Sequence, residues 1–440
     1  MKIESQGHIE TQPYKGARDF YPDDMKVRNY IFGVWREVCK SYGYQEYDGP
    51  YLEAFSLYAA KSGEEIVNEQ LYSFEDRGGR KVAIRPEMTP TLARMVAAKH
   101  KTLPLPIRWF SIPNLWRYEK PQRGRLREHF QLNVDVFGVN SVEADFEICS
   151  IAIDIMKRVG ARKGMFEIRV GNRRLIEDVY KSLGISTEQG LRVSKAIDKI
   201  KKIHHKEFDG LLKGDADITD EQVKEIKRFI KDPQPKINEL VKTSKGAKEV
   251  KDILRLAKET GKEKYIKYDP TIMRGFDYYT GNVFEQYDLN PSNKRAMYGG
   301  GRYDDLVELF IGKNLSGVGF GMGDVTFKNF LDSWGLMPHL PSEVEYFVTV
   351  WPGEEIAYKN IAYEVSHKLR HCGLDVEMWL EDNTKLNKQL KYADKKGIKN
   401  VIIIGEEEIK NGIITVKNMD SGEQKALSLD SFLEEIVNCK

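Results

Sequence analysis

The hydrophobic pattern of this 440-residue chain changes character at Met337-Pro-His-Leu-Pro341. Closely spaced prolines resist helix and favour an extended chain, so residues 337–342 read as a linker. Beyond it, EYFVTVW, GLDVEMWL and KNVIIIGEE are strand-like, and residues 355–370, 384–396 and 429–437 are helix-like. That β-α-β-α-β alternation predicts a separate α/β domain over 343–440 with a largely parallel sheet. Before the linker the elements do not alternate. Met25, Val27, Tyr30, Ile31, Val34, Trp35 and Val38 recur at helical spacing and predict an amphipathic helix over 23–41. Short aromatic and β-branched runs broken by Gly or Pro follow, in YGYQEYDGPYLE, KVAIRPE, IRWFSIPNLWRYE and FQLNVDVFGV, and then a helix over 143–159. Strands and helices grouped in this way predict an antiparallel α+β sheet flanked by helices.

Charge divides the first part of the chain further. The whole chain carries 69 basic and 67 acidic residues, a net +2, too near neutral for general polyanion binding. Between Leu191 and Lys267, however, 21 Lys and Arg face 14 Asp and Glu, a local excess of seven, and the remainder is net −5. Lysine-rich helical stripes such as Ile226, Phe229 and Ile230, with a break at Asp232-Pro-Gln-Pro235, predict a basic helical insertion over 172–267. It splits the sheet-forming core into 1–171 and 268–336. A basic module in an acidic body would place a phosphate backbone locally, with salt-sensitive affinity; a solvated lysine-rich face is the plainer alternative. With 41% hydrophobic residues and no run near the ~20 apolar residues that span a bilayer, a soluble cytoplasmic protein without a membrane partner is expected. Cys39, Cys149, Cys372 and Cys439 show no paired spacing, which argues against a disulfide framework or zinc knuckle.

There is no G-x-x-x-x-G-K-[ST] loop, G-x-G-x-x-G or H-E-x-x-H, and His367 with His371, four apart, reads as a solvated helix face, so no protein-held metal is expected. The densest chemistry lies in RYEKPQRGRLREHF, residues 117–130, where Arg117, Lys120, Arg123, Arg125 and Arg127 oppose only Glu119 and Glu128. Pro121 and Gly124 punctuate a hairpin with a cationic tip, and guanidinium forks match phosphate oxygens. A group of the opposite kind accompanies it. Arg85-Pro-Glu87-x-Thr89 ends a strand, and Gln131 and Asp135, four apart in a strand, share one face. These acceptors suit a bound ammonium. Arg274, Asp277, Tyr278 and Tyr279 add a cation beside phenols. Acceptors and cations segregated in this way suit a site that holds a zwitterion while charge develops on a phosphate.

Over nearly its whole length the chain resembles the histidyl-tRNA synthetases, class II aminoacyl-tRNA synthetases. The matching segments are KGARDFYP, AIRPEMT, WRYEKPQRGRLREHFQLNVDVFG (motif 2), RGFDYYTGNVFE and YGGGRYD (the two histidine-specific motifs) and LNKQLKYADKKGIKNVIIIGEEE. The resemblance implies ATP-dependent ligation of L-histidine to tRNA(His) through histidyl-adenylate. It implies catalytic roles for Arg117 and Arg274 at the α-phosphate, and ATP binding by Arg117, Glu119, Arg125 and Arg127. Histidine would be bound by Glu87, Thr89, Gln131, Asp135, Arg274, Tyr278 and Tyr279, over a pocket floor formed by Gly299, Gly300 and Gly301. Pro50 resembles the motif 1 proline of a homodimer interface, 172–267 the domain that clasps the acceptor stem, and 343–440 the anticodon-binding domain. Mg²⁺ would arrive with ATP, without a protein cage.

One departure stands out. Motif 3 usually ends in an arginine that contacts the γ-phosphate, whereas GVGFGMGDVTF has Asp324 and Thr326 in that region. Arg123, Arg125 or Lys328 could supply the missing cation. The same departure is the best support for a rival reading, a catalytically silent histidine-sensing regulatory paralogue. A class II enzyme for proline or threonine is a second rival, opposed by the two histidine-specific motifs.

Overall fold

The computed structural model describes residues 11–60, 66–200, 203–273, 279–293, 296–353 and 356–439. The chain forms two compact units, Met1–Met337 and Pro338–Lys440. In chain order the strands of the first are β1 (Gln45–Glu46), β2 (Leu52–Ala54), β3 (Ser73–Glu75), β4 (Lys81–Ile84), β5 (Ile107–Ser111), β6 (Asn114–Trp116), β7 (Glu128–Phe137), β8 (Phe166–Asn172), β9 (Ile266–Tyr268), β10 (Asn282–Asp288), β11 (Ala296–Arg302) and β12 (Gly317–Gly323). Nine of them build one sheet in the order β1-β5-β7-β12-β11-β10-β8-β9, with β6 added on β7, while β2-β4-β3 form a small separate sheet. From β5 across to β8 every neighbouring pair is antiparallel; only the edge pairs β1·β5 and β8·β9 are parallel. The fold is therefore α+β.

Helices Pro22–Ser41 and Val142–Arg158 cover one face of this sheet. Trp35 and Val38 of the first and Ile148, Ile151 and Ile155 of the second share a core with Leu132, Val134 and Val136 of β7 and Val318 and Met322 of β12. Such burial contributes roughly 1.5–3 kcal/mol per large aliphatic side chain. An ion pair closes one end. Arg302, at the end of β11, is buried and sets its guanidinium 2.6 Å from Asp145 while donating to the carbonyls of Val139 and Ser141. The YGGGRYD arginine thus acts on the helix side of the sheet. A charge buried there is tolerable only because it is paired and hydrogen-bonded.

Between β8 and β9, which are adjacent and parallel, the chain runs through helices Arg173–Ser182, Thr187–Lys199, His205–Gly210, Asp220–Lys231, Gln234–Leu240 and Lys245–Glu259. Ser186 with Gln189 and Thr219 with Gln222 form reciprocal capping boxes, and Asn172 and Ser244 cap two further helices. Val179, Val193, Ile226 and Phe229 belong to a second core within this insertion.

The second unit contains β13 (Tyr346–Val348), β14 (Val376–Met378), β15 (Asn400–Ile403), β16 (Ile414–Asn418) and β17 (Gln424–Leu427), in the order β14-β13-β15-β16-β17. The first three are parallel, as expected, but β16 and β17 are antiparallel, so the sheet is mixed rather than largely parallel. Strand β16 is largely half-buried and β17 mostly exposed, and the two are joined through a turn at Gly422 in the left-handed region. No helix among the described residues is long and apolar enough to cross a membrane.

Candidate active site

The site begins with the alternation of one strand. β7 reads Gln131-Leu-Asn-Val-Asp-Val136 through its second half, and successive side chains of a strand point to opposite faces. Leu132, Val134 and Val136 enter the core. Gln131, Asn133 and Asp135 take the other face and line a cavity of about 500 Å³, closed by Glu87, Thr89, Arg117, Tyr279, Gly299 and Tyr303. The neighbouring strand β12 has a matching alternation, glycine at 317, 319, 321 and 323 with Val318, Phe320 and Met322 between. In the strand register Gly319 lies opposite Asp135 and Gly321 opposite Asn133, and the Gln131 side chain reaches over Gly321. A Cβ on Gly319 would run into the Asp135 carboxylate, and one on Gly321 would come within 2.7 Å of the Gln131 amide carbon. Glycine there is the space that the two polar side chains occupy.

Asp135 is 3% exposed and Glu87 4%. The Tyr303 hydroxyl donates to Oδ1 of Asp135, a contact joining residues 168 positions apart. Burial pushes the Asp135 carboxyl up to about 7, although the Tyr303 hydrogen bond works in the opposite direction. The buried carboxyls of Glu87 and Asp135 and the carboxamides of Gln131 and Asn133 around one cavity suit a small ligand with donor groups, an ammonium or a ring N–H.

A second cavity, about 690 Å³, shares Arg117, Gln131, Gly299 and Gly321 with the first and adds Glu119, Gly124, Arg125, His129 and Thr326. Arg117 is the cation common to both. Its Nε donates to the Pro86 carbonyl at 2.9 Å, which orients the guanidinium. Glu119 is buried and holds Arg125 at 2.7 Å. His129 was not singled out from the sequence. Burial, with Arg117, Arg18 and Arg125 nearby, pushes its imidazole down to about 3, so it is a neutral ring in the wall at working pH. Asn133 and Tyr303 were missed as well; the alternation of β7 would have revealed Asn133, and Tyr303 belongs to the YGGGRYD segment, whereas no local signal marks His129.

Not every expected residue gathers here. Arg127 lines neither cavity: Nη1 donates to the Tyr14 hydroxyl at 2.8 Å, and its guanidinium lies 4.0 Å from the centre of the Tyr118 ring. Of the three glycines, Gly299 lines both cavities; a Cβ on Gly300 would meet Phe284 and the Gly319 carbonyl, and one on Gly301 would meet Tyr279, so these two permit close packing of strands. Pro50 is exposed between β1 and β2 and lines neither cavity. Arg274, Asp277 and Tyr278 lie outside the described residues.

At the departure from motif 3, Asp324 opens helix Asp324–Trp334 and is buried. Its carboxylate takes Arg18 at 2.8 Å and accepts from the Phe130 backbone N–H at 3.0 Å, clamping the segment before the first helix to β7. Thr326 donates to the Met297 carbonyl. Lys328 pairs with Asp332 on its own helix. Among the described residues no group of three or more His, Cys, Asp and Glu could hold a metal ion, and His367 and His371, with Nε2 atoms 3.1 Å apart, stand exposed in the second unit. Glu119 is the single carboxylate lining the second cavity among the described residues. That donor set fits an ion carried in by a phosphate ligand and touched by one carboxylate, and does not fit an all-protein cage.

The sequence model of the family described as histidyl-tRNA synthetase matches residues 16–324, and that described as anticodon binding domain matches residues 347–438. The chain is similar to the histidine–tRNA ligase of Leptospira biflexa, 45% identical over 97% of this chain and 98% of that one. It is 39% identical to that of Thermoplasma volcanium over 97% and 99%. Among solved structures, the histidyl-tRNA synthetase of a Nostoc species superposes with a TM-score of 0.82 at 26% identity, covering 98% of this chain and all of that one.

Proposed function

The chain belongs to the histidyl-tRNA synthetase family, and from that premise we propose that it attaches L-histidine to tRNA(His) in two steps through histidyl-adenylate. One observation carries the reading. The polar cavity of Glu87, Gln131 and Asp135 opens onto the cationic cavity of Arg117 and Arg125, and Arg117 lines both. Histidine in the first and ATP in the second would meet at that guanidinium.

In the first step a carboxylate oxygen of histidine attacks the α-phosphorus, the bond to the bridging oxygen breaks, and pyrophosphate leaves. Arg117 stabilises the added negative charge on the phosphorus oxygens. Glu87, Thr89 and Gln131 hold the ammonium group, and Asp135, oriented by Tyr303, accepts from a ring N–H of the substrate with Tyr279 alongside. Arg274 and Tyr278 are assigned to the same site by the family motif. In the second step the terminal ribose 3′-hydroxyl of tRNA takes the histidyl group and AMP leaves. No bond to the protein forms. Positioning and preorganised charge carry the rate, with roughly 10²–10³-fold lost per donor removed. Mg²⁺ entering with ATP would neutralise phosphate charge, with Glu119 the candidate protein contact. A pocket that hydrogen-bonds polar substrate atoms rejects analogues lacking them by roughly 10⁴–10⁵, so no hydrolytic editing site is required.

The insertion and the second unit are proposed to hold the acceptor stem and the anticodon, and Pro50 to lie at a homodimer interface. The reaction is proposed to run in the cytoplasm. ATP–pyrophosphate exchange tests the reading. Exchange should depend on histidine and be absent with proline or threonine, and tRNA(His) should be charged. A protein that binds histidine without exchange would be the silent regulatory paralogue, and the proposal would fail.

A further inference from the structure

The insertion opens on two adjacent arginines, and both reach the short stretch that leads into β10. Arg173 is the first residue of helix Arg173–Ser182, which Asn172 caps. The first N–H groups of a helix have no partner inside it. That of Arg173 donates to the Gly281 carbonyl at 3.0 Å. The side chain turns back to the same stretch: Nη1 donates to the Tyr279 carbonyl at 2.8 Å, and Nη2 lies 3.5 Å from the Met273 carbonyl. One residue thereby grips the main chain on both sides of Thr280.

Arg174 secures the side chains around it. Its guanidinium binds Glu249, on the last helix of the insertion, at 2.7 Å and Asp304 at 2.9 Å, and Asp304 accepts from the Thr280 hydroxyl at 2.9 Å. A Cβ on Gly281 would stand 2.9 Å from Nη1 of Arg174, so glycine there leaves room for the guanidinium. Tyr279 itself belongs to no strand, since β10 begins at Asn282. Its ring is 7% exposed, lies against Gly301 and lines the first cavity. Arg173 lines neither of the two cavities, so any effect it has on a ligand there passes through the residues it holds.

We propose that Arg173 is a positioning residue for histidine recognition: from the first turn of the insertion it fixes the backbone of Tyr279, and with it the depth of the phenol in the cavity that takes the imidazole. A hydrogen bond from that hydroxyl depends on distance, weakening once donor and acceptor part beyond about 3 Å. A backbone carbonyl held by a charged donor resists such a shift, because the charge-assisted bond would be lost with it. The insertion thus contributes to the amino-acid pocket without touching the amino acid. This rests on the ligase reading above.

The test is a cycle of Arg173→Ala, Tyr279→Phe and the double variant in the full chain, with Arg173→Lys beside them and histidine and ATP affinities read by titration calorimetry. Tyr279→Phe and Arg173→Ala should each weaken histidine roughly 2–12-fold, the worth of one neutral hydrogen bond, and leave ATP as in the parent. In the Tyr279→Phe background Arg173→Ala should cost less than about twofold, because the contact that it places is already gone. Lysine, which keeps the charge but reaches one carbonyl, should restore part of the loss. Unchanged histidine affinity in Arg173→Ala, equal losses for histidine and ATP, or losses that multiply in full in the double variant overturn the assignment. Should the alanine variant fail to fold, the same cycle run with Arg173→Lys decides by the same outcomes. Pyrophosphate exchange in the parent reports separately on the ligase reading, since the calorimetric cycle needs binding and no turnover.

Discussion

Asp135 is the residue whose protonation ties the pocket to the stability of the fold. It is buried against Gly319 with Tyr303 donating to it, and burial places its carboxyl at about 7 instead of the ordinary 3.8. Below about 3.8 the group is protonated folded or unfolded, and its contribution is fully in place. Between 3.8 and 7 the folded protein keeps a proton that the unfolded chain gives up, so stability declines as pH rises, and the decline is complete above about 7. Asp135→Asn should remove this slope. Melting followed at several pH values should show the variant gaining on the parent between pH 4 and 7, while its affinity for histidine falls at least tenfold and that for ATP stays close to the parent's. Parallel pH profiles would refute the titration, and equal losses for both ligands would refute the role. Gln131 and Asp135 were legible because the period of a strand is local. Tyr303, Arg18 and Arg302 were not, since their partners lie 168, 306 and 157 positions away and no periodicity links them.

At the scale of elements, the insertion shows what local signals can and cannot convey. Its helices announce themselves through lysine-rich stripes, capping residues and the break at Asp232, because each of these acts within one or two turns. Its position between two adjacent parallel strands depends on pairings between residues 98 positions apart and is silent in the sequence. The β16–β17 hairpin escaped for a different reason, since β17 is mostly exposed and an exposed strand need not be apolar. The local excess of seven positive charges becomes functional only if some lysines remain unpaired. Lys195 and Lys199 are exposed one turn apart on helix Thr187–Lys199 and have no ion pair among the described residues. Lys195→Gln with Lys199→Gln should therefore raise the KM for tRNA, and flatten its dependence on salt by up to about 0.9 in logarithmic slope for each phosphate left unneutralised. Pyrophosphate exchange should not change. A salt slope identical to the parent's would return these lysines to the status of a solvated face.

For the whole molecule, the division at Met337 separates the chemistry from the last hundred residues. Both cavities are lined by residues between Glu87 and Thr326, within the first unit. The second unit has its own core, with Val348, Leu369, Ile402 and Phe432 among its buried residues, and the proline-bounded linker leaves its boundary legible from sequence. Two cores joined by a linker predict that a chain ending at Met337 folds on its own. It should then retain histidine-dependent pyrophosphate exchange with the parent's KM for histidine and ATP, because no residue lining the two cavities is removed. Charging of tRNA(His) should fall steeply, chiefly through a higher KM for tRNA, since the surface proposed to read the anticodon is gone while the insertion proposed to hold the acceptor stem is kept. Calorimetry of the full chain should resolve two transitions, the truncated form reproducing one of them. If truncation abolished exchange while the protein remained folded by circular dichroism, the first unit would not be the complete catalytic body. If it left charging intact, the second unit would have some role other than holding the tRNA.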